Sequence, residues 1–327
     1  MNQGASNNRE IVLKACESFG AVPSMFGVCI RPTFEAFRKG KNLSPHPAHF
    51  LLKRSPTLRS SLYFAVADMH EVSTAPTLNN LLDLCSLDEV AAVVALSFVK
   101  SRFRRMCNKE QMEQWLEKLP VELQIGHMVG STLTKVGGGG GMVIAGMNYL
   151  SCLLFLSRDK KGFQSYQHKL KSSNLPYDIK IEHERWQCDH QQIASHLVQL
   201  LGFGLAVGIG LGAPAEELAF GEDADEQALY EEIISWRVAR EWIAGLSLFG
   251  EVPPVESKDD PFYLPADAAR ELHDKVKEAK ESGTGFGWLL KSRSDLPAEV
   301  SASLKIPLIE EEDETLQSEV EQESQED

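Results

Sequence analysis

Apolar residues recur along most of this chain at helical spacing, and no run alternates long enough to make a strand. Residues 9–21 place Ile11, Val12, Ala15, Cys16 and Phe19 on one face and stop at Gly20. Pro23 and Pro32 mark a short connector. Ser44-Pro-His-Pro opens a second helix with Phe50, Leu51 and Leu52 on its apolar side. Ser55-Pro56 breaks it and starts a third, carrying Leu58, Leu62, Tyr63, Val66 and Ala67. Thr77–Leu84 and Asp88–Val99 predict two more helices, the latter rich in Val and Ala and therefore buried. Gln111–Thr134 resumes the pattern, with Pro120 as a kink or boundary. The fold class these patterns predict is all-α.

The longest uncharged stretch, Gly141–Leu156, is apolar on every face. Such a helix belongs in the middle of a large core or in a membrane. A spanning helix needs about 20 apolar residues, and Arg158-Asp159-Lys160-Lys161 closes this one early, so it reads as the central core helix. The five glycines before it, Gly137–Gly141, have neither a preceding strand nor a following Gly-Lys-Ser/Thr. They read as a flexible hinge rather than a phosphate cradle.

Further on, Asp189 is a good N-cap and Gln192 completes a capping box. Ile193, Leu197 and Leu200 share a face, and Gly202 supplies the stop. A Gly/Ala-rich segment, Leu205–Pro214, and an acidic turn, Glu222–Glu226, precede a long helix striped with Leu229, Ile233, Trp236, Ala239, Ile243 and Leu246. Pro253–Pro261 is a loop, and Pro265–Ser282 is a charged amphipathic helix.

Charge changes the picture at the C-terminus. Glu310–Asp327 holds ten acidic residues and no Lys or Arg, so most of the formal charge of −14 sits in a tail too polar to fold. That balance argues against general nucleic-acid binding. The one dense basic stretch contains Lys100, Arg102, Arg104, Arg105 and Lys109. It reads as a helix C-terminus answering the macrodipole, with a phosphate- or nucleic-acid-binding patch as the alternative. Six scattered cysteines fit a reducing compartment, and the first residues lack the apolar core of a signal peptide. A cytoplasmic location without membrane attachment is expected.

Candidate metal ligands are sparse. His183, Asp189, His190 and His196 form the densest group, but His190 and His196 diverge on a helix and do not suit a shared ion. His46 and His49 fall in a Pro-rich turn and read as surface residues.

Several segments together resemble the HDOD domain, a non-hydrolytic relative of the HD phosphohydrolases. Val22-Pro23 is a weak opening match. Leu51-Leu52-Lys53-Arg54-Ser55-Pro56-Thr57-Leu58 looks like that family's helix junction, with Ser55 where Asp is usual. Ala67-Asp68, Leu84-Cys85 and Trp115 stand at further motif positions. Ala145-Gly146-Met147-Asn148-Tyr149-Leu150-Ser151-Cys152 is similar to the helix that carries the His-Asp doublet, which Tyr149 and Leu150 replace. Glu117 stands where the first metal-site His is expected. Glu184-Arg185-Trp186-Gln187-Cys188-Asp189-His190 is similar to the last motif and keeps Asp189 and His190.

The resemblance implies an HD-superfamily-like helical domain over residues 18–213. A lead-in helix (1–17), a helical extension (214–308) and a disordered acidic tail (309–327) complete the expected organisation. It also implies a non-catalytic regulatory module of bacterial signal transduction, acting on protein partners of a signalling pathway. No metal, cofactor or hydrolase activity is expected, because Glu117, Tyr149 and Leu150 leave too few ligands beside Asp189 and His190. Two alternatives stand: an enzyme or small-ligand sensor with a remodelled site, and a nucleic-acid-associated regulator working through Lys100–Lys109. The oligomeric state stays open.

Overall fold

In the computed structural model, which describes residues 3–41, 43, 46–212, 224–251 and 262–306, the regular elements are sixteen α-helices and a few 3-10 turns. The described residues include no strand, as the pattern predicts. The first eight helices are α1 (Gln3–Cys16), α2 (Ser24–Arg38), α3 (His49–Arg54), α4 (Pro56–Met69), α5 (Leu78–Leu84), α6 (Leu87–Met106), α7 (Lys109–Leu116) and α8 (Leu119–Thr132). The others are α9 (Gly137–Arg158), α10 (Lys160–Ser173), α11 (Ile179–Trp186), α12 (His190–Leu201), α13 (Leu205–Gly212), α14 (Ala224–Phe249), α15 (Ala266–Ser282) and α16 (Ala298–Ser303).

Helix α9 is the axis of the molecule. Every residue from Gly137 to Leu156 is buried, and α6, α7, α8, α10, α12 and α14 all pack against it. With its glycine turn included it has 22 residues, long and apolar enough to cross a membrane, yet its apolar window is entirely buried inside the protein.

The glycine run corrects the hinge expectation. Gly137–Gly141 is the first turn and more of α9, and tertiary contact explains why glycine is needed there. A Cβ on Gly141 would sit 1.8 Å from the Gly126 carbonyl oxygen, and one on Gly126 would sit 2.4 Å from that of Gly141. The α8 and α9 backbones therefore touch, which only glycine permits at both positions. A Cβ on Gly139 would meet the Asp88 backbone at 2.1 Å. Asp88, buried at the start of α6, accepts a hydrogen bond from the Gly139 N–H at 2.7 Å. Its carboxylate thus serves one of the open donors at the head of α9.

Local signals set most helix limits. Ser55 accepts from Leu58 N at 3.1 Å and Pro56 is the first residue of α4. Asp189 and Gln192 form a capping box at α12, and Gly202 ends that helix at φ 100°. Pro32 departs from the expectation: it lies inside α2 rather than in a connector. The Ser44-Pro-His-Pro opening, the acidic turn at Glu222, the Pro253–Pro261 loop and the acidic tail fall partly or wholly outside the described residues.

The segment after α13 joins the same core. Trp236, Trp242, Ile243 and Leu246 of α14, Val276 of α15, Trp288 and Val300 belong to one buried cluster with α6 and α9. Polar bonds reinforce this: Trp288 N donates to Asp68 Oδ2 at 2.7 Å, and Phe286 N donates to the Pro120 carbonyl at 3.0 Å.

Candidate functional site

Three helices bring a polar cluster into the centre of the apolar core. Cys152 lies on the inner face of α9, Glu182 on α11, and His190 opens α12. All three are buried, Glu182 and His190 completely. The His190 ring Nδ1 lies 2.7 Å from Glu182 Oε2, and the His190 backbone N–H donates to the same oxygen at 2.8 Å. The Tyr166 hydroxyl of α10 donates to Glu182 Oε1 and accepts from Asp178 N at 2.9 Å. Cys152 Sγ donates to the Asn148 carbonyl at 3.3 Å. One nitrogen of His190, Nε2, is buried without a hydrogen-bond partner, as is the Tyr149 hydroxyl.

Local sequence explains the positioning. Asp178 caps α11 by accepting from Lys180 N and Ile181 N. Gln187 ends that helix in the left-handed region at φ 60°. The tight corner that follows lets Asp189 start α12 almost at once. Asp189 Oδ1 accepts from Gln192 N at 2.8 Å, while Oδ2 lies 2.7 Å from His183 Nε2. One carboxylate therefore caps the helix and braces the histidine of the preceding one. Aromatic rings close the cluster: Trp115 stacks at an angle on Tyr149 with centroids 5.8 Å apart, and Tyr177 lies 4.5 Å from the His190 ring.

Burial and charge perturb these groups in opposing ways. Burial lowers the His190 pKa, but the charge and hydrogen bond of Glu182 outweigh it, and the net direction is upward. Burial pushes the Cys152 thiol well up, and the Glu182 and Asp189 carboxylates push it further. Burial likewise raises Tyr149, helped by Glu122, Tyr177 and Cys152. At neutral pH the arrangement holds an imidazole–carboxylate pair beside a protonated thiol and phenol.

The sequence-derived positions meet only in part. Tyr149, Asp189 and His190 lie around this cluster, and Leu150 is fully buried in apolar packing. Glu117 is exposed at the end of α7, on the surface. The histidine group divides: His183 pairs with Asp189, His190 with Glu182, and His196 lines a cleft with Cys16. Glu182 and Cys152 are the functional candidates that sequence reasoning passes over. Neither offers a local signal: Glu182 lies on a separate helix from His190, and a lone Cys in an apolar helix reads as a small hydrophobe. His46 accepts from Ala48 N at 3.1 Å, and burial together with His49 holds its pKa down to about 4. All six cysteines are free thiols.

The basic stretch also divides. Lys100 is tied to the Leu289 carbonyl, and burial followed by the nearby Arg104 charge pulls its pKa down to about 8. Arg102 donates to the Ala21 carbonyl at 2.6 Å. Only Arg104 and Arg105 of the four candidate patch residues are exposed. They stand in the last turn of α6, where cations oppose the helix dipole.

On the surface, a cleft of ≈ 420 Å³ runs between α1 and α12, lined by Leu13, Cys16, Val22, His196 and Leu200 among others. Leu13 and Leu200 are each 43% exposed, Leu205 57% and Val28 71%. Gly202 comes close to Gly27, where a Cβ on Gly202 would meet the Gly27 Cα at 2.8 Å, which brings the end of α12 against α2. Leu13 and Leu200 place exposed apolar surface in the wall of the cleft.

The described residues define a helical protein with a buried Cys–Glu–His centre and an apolar-walled cleft on its surface. Comparison with models of protein families, with curated proteins and with solved structures finds no match, so the functional reading rests on these residues.

Proposed function

We propose that this protein is a non-catalytic helical module that regulates by binding another protein, in the cytoplasm, as its resemblance to HDOD signalling domains implies. The observation that carries this reading is the cleft between α1 and α12, walled by the exposed Leu13 and Leu200. Apolar side chains gathered on one exposed face mark binding surfaces far more often than scattered single ones do. A cleft between two helices is the geometry that receives the apolar side of an amphipathic partner helix. The position of the catalytic doublet in hydrolytic relatives is filled by Tyr149 and Leu150, which pack rather than face solvent.

A photo-reactive residue at Leu13, with cross-linked peptides sequenced from cells, tests the site directly. The expected result is one dominant cross-linked protein that Leu200→Glu displaces while the fold persists. Cross-linking unaffected by that substitution would overturn the reading.

A remodelled ligand sensor is the second reading, favoured by the unpartnered polar atoms of His190 and Tyr149. Ligand-induced stabilisation abolished by Tyr149→Phe, with Leu200→Glu silent, would select it over docking.

A further inference from the structure

We propose that Cys152, Glu182 and His190 form a buried structural site for a borderline-soft divalent cation of the Zn2+ type, joining α9 to the α11–α12 corner. The donor atoms of these three side chains all lie within 4.8 Å of one another. Around a tetrahedral zinc, neighbouring ligand atoms stand about 3.4–3.6 Å apart, given bond lengths of about 2.0–2.3 Å. The 2.7 Å between Glu182 and His190 is slightly too short and the outer limit slightly too long. Side-chain adjustments on the order of an ångström reach the required geometry.

The donor types select the ion. A thiolate, an imidazole and a carboxylate together suit zinc and its neighbours and are poor ligands for magnesium or calcium. Charge agrees as well. A thiolate and a carboxylate neutralise a divalent ion, so the loaded site buries no net charge, whereas an unloaded one keeps a pair that burial penalises.

An independent observation points the same way. Buried polar atoms almost always have partners, and an exception calls for an ion, a water or a chemical role. Here the Tyr149 hydroxyl is buried and unpartnered. Tyr149 stands three residues before Cys152 on α9 and so shares its face, which makes its hydroxyl the candidate for a fourth position.

The site differs from the metal site of the hydrolases that the sequence resembles. Glu117, Tyr149 and Leu150 are the altered positions there, and of the residues in the present trio only His190 belongs to that set. Among the described residues, neither surface cleft is lined by any of the three ligands. The three ligands are buried where α9, α11 and α12 meet, so the ion's role is to hold α11 and α12 against α9. Metal would enter during folding, displacing the Cys152 proton. The proposal is independent of partner docking on the α1–α12 face.

The full chain, produced with zinc in the medium and purified without chelator, is analysed for metal by mass spectrometry. A second sample is refolded with Co2+. Stoichiometric zinc and a near-ultraviolet thiolate-to-cobalt band are expected; the band is lost in Cys152→Ser and kept in Cys107→Ser. Tyr166→Phe, which removes the hydroxyl that orients Glu182, should weaken Co2+ binding by about 10- to 100-fold. Folded wild-type protein with far less than stoichiometric metal and no thiolate band would overturn the proposal and leave an ordered water as the partner. A band that persists in Cys152→Ser would overturn it too. The wild-type measurements decide the matter even if a variant fails to fold.

Discussion

Glu182 and His190 face each other at 2.7 Å with no solvent exposure on either side chain. The surface pair Lys135–Glu231, at 2.8 Å, has both partners more than half exposed. Near-equal distances therefore conceal unequal roles. An exposed pair is worth at most about 1 kcal/mol, because water and salt screen it. Removing one partner of a buried pair strands the other and costs about 3–5 kcal/mol.

Glu182→Ala should accordingly destabilise the metal-free protein by about 3–5 kcal/mol. Beyond the imidazole, it leaves the His190 N–H and the Tyr166 hydroxyl without their acceptor. Lys135→Ala should leave stability nearly unchanged, because water and salt screen that pair. Urea denaturation in the presence of chelator measures both. Equal effects would show that the buried cluster is solvated in solution.

The same pair sets a pH dependence. The folded-state pKa of His190 lies above its ordinary value of 6.5. The stabilisation that protonated His190 gains from Glu182 is therefore complete below about 6.5 and is lost as pH rises through the raised value. With chelator present, the stability difference between wild type and Glu182→Gln should be largest below the ordinary value of 6.5 and shrink as pH rises through the raised value. Denaturation at several pH values tests this, and a difference that stays constant would mean that His190 does not titrate there.

Glycine positions in this fold should respond in opposite directions to alanine. At Gly141 the added Cβ would meet the Gly126 carbonyl oxygen at 1.8 Å, and a backbone atom cannot rotate away. Gly141→Ala should cost about 3 kcal/mol or more by forcing α8 and α9 apart. Gly27 lies inside α2, and a Cβ there would have nothing within 4 Å. Gly27→Ala should stabilise by roughly 0.5–1 kcal/mol through helix propensity. Thermal midpoints separate the two, and a neutral Gly141→Ala would restore the hinge interpretation of the glycine run.

That contrast also shows what can be read from sequence. Signals that act over one helical turn are legible: the Ser55-Pro56 junction, the Asp189–Gln192 capping box, the Gly202 stop and the uniformly apolar α9. Gly137–Gly141 misleads because glycine disfavours an isolated helix, and the reason to tolerate it is a backbone on another helix. Pro32 misleads for a similar reason: the packing of α2 against α6 and α12 outweighs the local penalty of an internal proline. At the candidate site, Tyr149, Asp189 and His190 are visible through a motif resemblance. Cys152 and Glu182 are not, since their significance arises only when α9 and α11 meet. Glu117 shows the converse failure, a motif position that the fold leaves on the surface.

Introducing the His-Asp doublet of the hydrolases that the sequence resembles tests the proposed reading of α9. Leu150 has no solvent exposure, and a carboxylate there would lose its hydration without a partner. Tyr149→His would remove the ring that packs on Trp115, although the Trp115 indole N–H would keep its 2.8 Å bond to the backbone carbonyl of residue 149. Combined, Tyr149→His and Leu150→Asp should cost roughly 4 kcal/mol or more. They should not create phosphodiesterase activity, because Glu117 stands on the surface and supplies no ligand to the cluster. Urea denaturation and a panel of phosphodiesters with added Mn2+ or Mg2+ measure the two outcomes. Metal-dependent turnover that chelator abolishes would show that α9 retains the architecture of a catalytic helix, and the non-catalytic reading of this protein would have to be abandoned.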